Sequence, residues 1–299
     1  MFGGRSRGQD RLGSAPTGRG TVTVTVPKVD LIDGAAMPRL GFGVFQVGDD
    51  EAERAVATAL ENGYRSIDTA SAYQNEEGVG RALRASGLPR DELFVTTKLW
   101  NSEQGHDNAL RACEASLSRL GLDRLDLYLI HWPMPGRGLY LETWRALEKL
   151  KADGRVRSIG VSNFTVETLR RIIGEADVVP AVNQIELHPY FQQDGLRAFH
   201  RDHGIRTEAW APLGQGHGLL DDPALARIAE AHGRTPAQVV LRWHLDIGNI
   251  VIPKSVTPSR IAENIDVFGF ELTPDDLRAI GELDKGIRVG PDPATFESA

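Results

Sequence analysis

The chain has 299 residues, 41% of them hydrophobic, enough to bury one large core, and at this length a single α/β barrel competes with a two-domain reading. A net charge of -7 with a pI near 5.7 argues against nucleic acid or an acidic membrane surface as the main partner. Cys113 is the single cysteine, so no internal disulfide forms, which fits a reducing cytoplasmic compartment, and no stretch is long and apolar enough to span a membrane.

Residues 1–20, rich in Gly and Arg without an apolar run, read as a disordered leader, and residues 21–299 as a single domain. Residues 21–40 alternate apolar and polar around Asp33-Gly34, the signal of a β-hairpin. From there strand and helix alternate. Strands are expected at 38–45, 65–68, 92–99, 125–131, 156–163, 181–187, 205–213 and 249–255. Helices are expected at 50–63, 75–86, 106–121, 141–154, 165–176, 193–204, 222–232, 236–246 and 258–268, with a further amphipathic segment at 273–284 and a tail from Lys285. The strands are continuous apolar runs, as in a parallel sheet covered on both faces. Eight such units predict a (β/α)8 barrel with the hairpin at its N-terminal end.

In that fold chemistry sits at the C-terminal strand ends. There the sequence places Asp68 with Tyr73 just beyond it, Lys98 followed by Trp100 and Asn101, and His131 with Trp132. The later strands supply Ser162 and Asn163, Gln184 and Glu186, Trp210, and Lys254 with Ser255. A tyrosine ionises near pKa ~10 in water. A nearby cation would make it a better proton donor near neutrality, and Lys98, held by Asp68, would supply that cation. His131 would orient a carbonyl oxygen. Such a set protonates a developing alkoxide and contains neither a nucleophile nor a metal cage, so hydride must come from a nicotinamide cofactor. Asn163 and Gln184 suit its carboxamide, and Trp210 its ring face. Phe45, Trp100 and Trp132 offer aromatic walls for a small carbonyl substrate.

"GYRSIDTASAYQNEEGVG", "VTTKLWN", "LYLIHWP", "IGVSNF", "VNQIELHPY" and "VIPKSVTPSRIAEN" together resemble the aldo-keto reductase family, in the family's order, from about residue 24 to the end. "GPDPATF" is similar to the bacterial branch of diketogluconate and small-carbonyl reductases. The resemblance implies a catalytic tetrad of Asp68, Tyr73, Lys98 and His131, and a monomer that uses NADPH. It further implies cofactor contacts from Ser162, Asn163, Gln184, Trp210, Leu213 and Gly214, and from Lys254, Ser255, Val256, Arg260, Glu263 and Asn264 at the adenosine end. Ala211 departs from the family's serine there. In "KSVTPSR", Thr257 is expected to cap the next helix and Pro258 to open it, leaving a basic anion site that favours NADPH over NADH.

Other signals carry less. "GVGRAL" lies inside a helical pattern, so its glycines read as packing and a Rossmann domain is disfavoured. His200 and His203 read as solvated, His188 as structural, Trp144 and Trp243 as packing, and Cys113 as inert. No metal site is expected. Two rival functions are a barrel glycosidase using Asp68 and Glu186, and a non-catalytic NADPH-binding regulatory subunit.

Overall fold

The computed structural model describes residues 25–298; the leader expected at 1–20 lies outside them. A short antiparallel hairpin comes first, β1 (Lys28–Asp30) with β2 (Ala36–Pro38), closed by Leu31 N–H on Ala35 O with Gly34 at φ 80°. Leu31, Ala35 and Met37 pack against Phe94, Leu127, Val182 and Ile250, which places the hairpin under the barrel as a plug.

Eight parallel strands follow: β3 (Phe42–Gly43), β4 (Ser66–Asp68), β5 (Phe94–Leu99), β6 (Leu125–Ile130), β7 (Val156–Ser162), β8 (Val182–Glu186), β9 (Arg206–Trp210) and β10 (Ile250–Val251). Each pairs with its sequence neighbour, and Gly41 N–H on Val251 O, Val251 N–H on Arg39 O and Gly43 N–H on Pro253 O close the ring. The first and last strands are shorter than the expected 38–45 and 249–255. β3 divides its bonds between two neighbours, and Pro253 has no N–H to extend β10.

The helices are α1 (Asp49–Glu61), α2 (Glu76–Ala85), α3 (His106–Leu120), α4 (Tyr140–Ala152), α5 (Val166–Glu175), α6 (Asp194–Asp202), α7 (Pro223–His232), α8 (Pro236–Asp246), α9 (Pro258–Ile265) and α10 (Pro274–Gly281). Their starts follow from local chemistry. Thr165, Thr235 and Thr273 each accept from the backbone N–H three residues on, and Pro236 and Pro274 fill the first turn. The glycines of "GVGRAL" are packing sites in α2: a Cβ on Gly78 would stand 2.0 Å from Asp49 O, and one on Gly80 2.4 Å from Leu120 O. Only glycine lets α2 lie this close to α1 and α3. That seating fixes the loop between β4 and α2, on which Tyr73 is carried.

Trp144 and Trp243 are fully buried between helices and strands, and burial pushes the Cys113 thiol up to about 12, so it is inert at neutral pH. His200 departs from expectation: it is wholly buried, not solvated. Its Nε2 meets Asn183 Nδ2 at 2.9 Å and its Nδ1 meets Thr207 Oγ1 at 2.9 Å. Asn183 Oδ1 already accepts from Phe164 N–H, so its NH2 group faces the ring and Nε2 must accept. The helical spacing hid this, because α6 turns that face toward β8 and β9.

Candidate active site

Strand parity explains the cluster at the barrel mouth. Along β9, Thr207 turns outward to His200 while Glu208 and Trp210 turn inward. The same alternation points Asp68, Lys98 and Gln184 to the axis. Lys98 is fully buried, its ammonium donating to Asp68 Oδ1 at 2.5 Å and to Thr69 O at 2.9 Å, and lying 3.4 Å from the Tyr73 hydroxyl. Tyr73 reaches this point through a short 3-10 turn over Ser71–Tyr73, followed by Gln74 in the left-handed region at φ 55°. Asn75, buried beneath the turn, holds it by donating to Val44 O and Val47 O.

Electrostatics assign protonation states. Burial lowers the Lys98 ammonium, but Asp68 more than offsets it and the net shift is upward, so Lys98 stays charged. Burial, aided by Lys98, holds His131 well below the usual imidazole range, so it is neutral. His131 Nδ1 is buried without a partner, so Nε2 is the nitrogen open to the cleft. Tyr73 departs from expectation. Burial raises its phenol above the ordinary value, and the attraction of Lys98 offsets only part of that, because Asp68 shares the lysine's charge. Tyr73 is therefore a fully loaded proton donor at neutral pH rather than a partly ionised one.

These groups head a cleft of about 1580 Å³. Phe45, Trp100 and Trp132 form its walls as expected, with Phe45 5.1 Å from the Tyr73 ring and Trp100 5.2 Å from His131. The cleft runs on past Ser162, Asn163, Gln184, Trp210 and Leu213 to Lys254. Asn163, at φ 64°, ties three strand ends together: Trp210 Nε1 donates to its Oδ1 at 2.8 Å, and its Nδ2 donates to His131 O at 3.0 Å. Gln184 spends its NH2 group on Asp68 Oδ2 and Glu208 Oε2, both at 2.8 Å, which leaves its carbonyl oxygen for a ligand.

Gly214, Ser255, Val256, Arg260, Glu263 and Asn264 do not line this cleft. Gly214 is buried under Leu219, Ser255 and Val256 lie on the β10–α9 turn beyond Lys254, and Arg260, Glu263 and Asn264 lie in α9. Pro258 opens α9 as expected, but Thr257 does not cap it with its side chain; Ser255 Oγ instead accepts from Thr257 N–H at 3.1 Å. Glu263 Oε1 accepts from Thr235 Oγ1 at 2.7 Å. Lys254 and Arg260 are exposed and, among the described residues, have no carboxylate partner.

Two strand-end residues serve the tail rather than chemistry. Glu186 accepts from Val289 N–H and Gly290 N–H, and Asn101 Nδ2 donates to Ser298 O at 2.6 Å. A Cβ on Gly290 would stand 2.5 Å from the Trp210 ring, so glycine is what lets the tail cross there. Phe296 then packs against Trp132, ring centroids 4.4 Å apart and tilted by 44°, and completes the wall. With Glu186 so engaged and Asp68 held by Lys98 and Gln184, the glycosidase pair is not formed.

Sequence reasoning missed Phe296 and Glu208. Nothing in the tail's composition marks Phe296. Glu208 was findable: it shares inward parity with Trp210 in "IRTEAWAPL", a charge where a barrel strand should be apolar.

The Aldo/keto reductase family model matches residues 39–285. An aldo-keto reductase of Mycolicibacterium smegmatis is 57% identical over 270 residues, covering 90% of this chain and 98% of the relative. Methylglyoxal reductase DkgA of Escherichia coli is 52% identical, covering 90% and 97%. Among solved structures, an aldo/keto reductase from Brucella melitensis superposes with a TM-score of 0.85 at 58% identity, covering 87% of this chain and all of that one. A mutant of Gox0644 in complex with NADPH gives 0.87 at 56%, covering 91% and 99%. Fold, cleft and sequence agree: the chain belongs to the aldo/keto reductase family.

Proposed function

We propose that this enzyme reduces small aldehydes and ketones to alcohols with NADPH, and that Tyr73 gives the proton. The observation that carries the assignment is the convergence of Tyr73, Lys98 and neutral His131 at the head of a cleft that continues to Lys254, a cation with no carboxylate partner among the described residues. The similarity of the chain to methylglyoxal reductases points to short carbonyl compounds such as 2-oxoaldehydes.

The residues present fit the cofactor. Gln184, with its carbonyl oxygen free, and Asn163, with a lone pair to spare on Oδ1, suit a carboxamide, alongside Ser162. Trp210 suits the ring and Leu213 the pyrophosphate stretch, where Ala211 offers no hydroxyl and Gly214 N–H is already given to Ala211 O. Lys254, Ser255, Val256, Arg260, Glu263 and Asn264 take the adenosine phosphate end. NADPH, when bound, supplies the hydride.

Each residue of the tetrad has one task. His131 Nε2–H donates to the carbonyl oxygen and orients it. As the oxygen gains charge, Tyr73 protonates it, and Lys98 stabilises the phenolate left behind. Asp68 keeps Lys98 charged and placed. The aromatic walls exclude water from the reacting carbon. We further propose a cytosolic monomer, on the family resemblance and the single buried Cys113; light scattering on eluted enzyme tests the oligomeric part.

Tyr73→Phe should abolish reduction while NADPH affinity stays within a few-fold. Asp68→Asn should lower kcat less, because Asp68 acts through Lys98. Retention of more than about a tenth of the wild-type kcat by Tyr73→Phe removes Tyr73 from the acid role.

A further inference from the structure

Glu208 lies inside the barrel, fully buried, among groups the reaction uses. Its Oε2 accepts from Gln184 Nε2, whose other N–H holds Asp68 Oδ2. Its Oε1 is buried and has no hydrogen-bond partner among the described residues. From β4 it faces Asp68, and from β5 Lys98; from β8 it meets Gln184, and its register partner on β10 is the apolar Ile250. Tyr73, beyond β4, also feels its charge. The barrel centre thus holds two carboxyl groups and one lysine. With both carboxyls ionised it would carry an uncompensated buried negative charge on a group with a single hydrogen bond, an arrangement from which proteins escape by neutralising the group.

We propose that Glu208 is a positioning residue of the reductase, held as a neutral carboxylic acid, which through the Gln184 amide fixes Asp68 against Lys98. As an acid it accepts from Gln184 without competing for Lys98. That fixes the Gln184 rotamer with its NH2 group inward and its carbonyl oxygen toward the cleft. Ionised, it would draw the Gln184 amide away from Asp68. It would also place negative potential behind Tyr73 and make the phenol a weaker acid. Carbonyl reduction would then slow as Glu208 loses its proton. Burial, with Asp68 beside it, pushes the Glu208 carboxyl up to about 8, within reach of enzyme assays and below the raised Tyr73 phenol.

The inference rests on Tyr73 as the proton donor, which Tyr73→Phe tests separately. Two measurements test Glu208. First, initial rates of reduction at saturating NADPH should fall in wild type as pH rises through about 8. Glu208→Gln, which keeps the acceptor and cannot ionise, should retain kcat within about threefold at neutral pH and lose that alkaline fall. Second, a pH-difference infrared spectrum of the wild type, which needs no variant to fold, should show one protonated-carboxyl band vanishing through about pH 8. A Glu208→Gln enzyme with an unchanged alkaline fall overturns the proposal, and so does a wild type without the titrating band. Activity lost in Tyr73→Phe but unchanged in Glu208→Gln at every pH would leave the acid assignment standing and remove Glu208 from it.

Discussion

Arg260 shows how much a single charge decides. It sits in the first turn of α9, exposed and free of any carboxylate among the described residues, with Lys254 at the cleft's far end. NADPH carries a phosphate at its adenosine end where NADH carries a hydroxyl, so on the proposed placement of the cofactor a basic turn here would discriminate between them. A charged hydrogen bond is worth roughly 1.5–3 kcal/mol, so Arg260→Ala should weaken NADPH binding about 10- to 150-fold. NADH binding should barely move. Fluorescence titration of both cofactors decides; equal losses would make Arg260 structural. The cleft-lining residues Asp68, Tyr73, His131, Asn163 and Gln184 were legible as a cluster because each stands in a contiguous motif. Glu208 and His200 were not, because their roles arise from partners on other strands: Gln184 and Asp68 for one, Asn183 and Thr207 for the other. Nor does the sequence give the sign of the Tyr73 shift, which is a contest between burial and Lys98 that only packing settles.

Elements in this barrel are placed by contacts that periodicity alone does not reveal. Strands and helices were readable from continuous apolar runs and helical spacing, since those signals are local; the capping threonines Thr165, Thr235 and Thr273 were not picked out, and Thr257, the one expected to cap, does not. The extent of β3 and β10 was not, because it depends on which neighbour takes each backbone bond. Glycine in helices opens the same point to experiment. In α2, Gly80→Ala gains helix propensity of about 1 kcal/mol but drives a methyl into Leu120 O, 2.4 Å away. Overpacking of backbone by that much costs roughly 1–3 kcal/mol or more and should win. In α5, Gly174 has no atom within 4 Å of its would-be Cβ. Gly174→Ala should therefore stabilise. Thermal unfolding should show Tm falling by a few degrees in the first variant and rising slightly in the second. A stabilised Gly80→Ala would refute the close helix packing that seats the Tyr73 loop.

The molecule as a whole is set for a stability maximum near neutral pH, with opposing titrations on its two sides. His131, His200 and His244 are buried and neutral, burial holding His200 and His244 down to about 3 and His131 well below its usual range. Each has its folded pKa depressed below the unfolded value of about 6.5, so its contribution is complete above that pH and is lost as pH falls toward the folded pKa. The unfolded chain takes up a proton at each that the folded chain refuses. A fully refused proton costs about 1.4 kcal/mol per pH unit, so at pH ~5 His200 and His244 should each remove about 2 kcal/mol, and His131 acts in the same direction. Glu208 acts in the other direction. Its folded pKa of about 8 lies above the unfolded value of about 4.3, so its contribution is present at low pH and is lost as pH rises through the folded value. For His200 the structural reason is specific. A proton on Nε2 would face the Asn183 NH2 group, whose orientation Phe164 fixes, and donor would meet donor. His200→Gln should lower stability at neutral pH, because it loses packing and a ring hydrogen bond. It should also flatten the acid limb, by about one proton's slope between pH ~6 and ~4. Urea unfolding across that range measures both. An acid limb as steep in His200→Gln as in wild type would mean that His200 is protonated in the folded enzyme, and the orientation assigned to the Asn183 amide would have to be reversed.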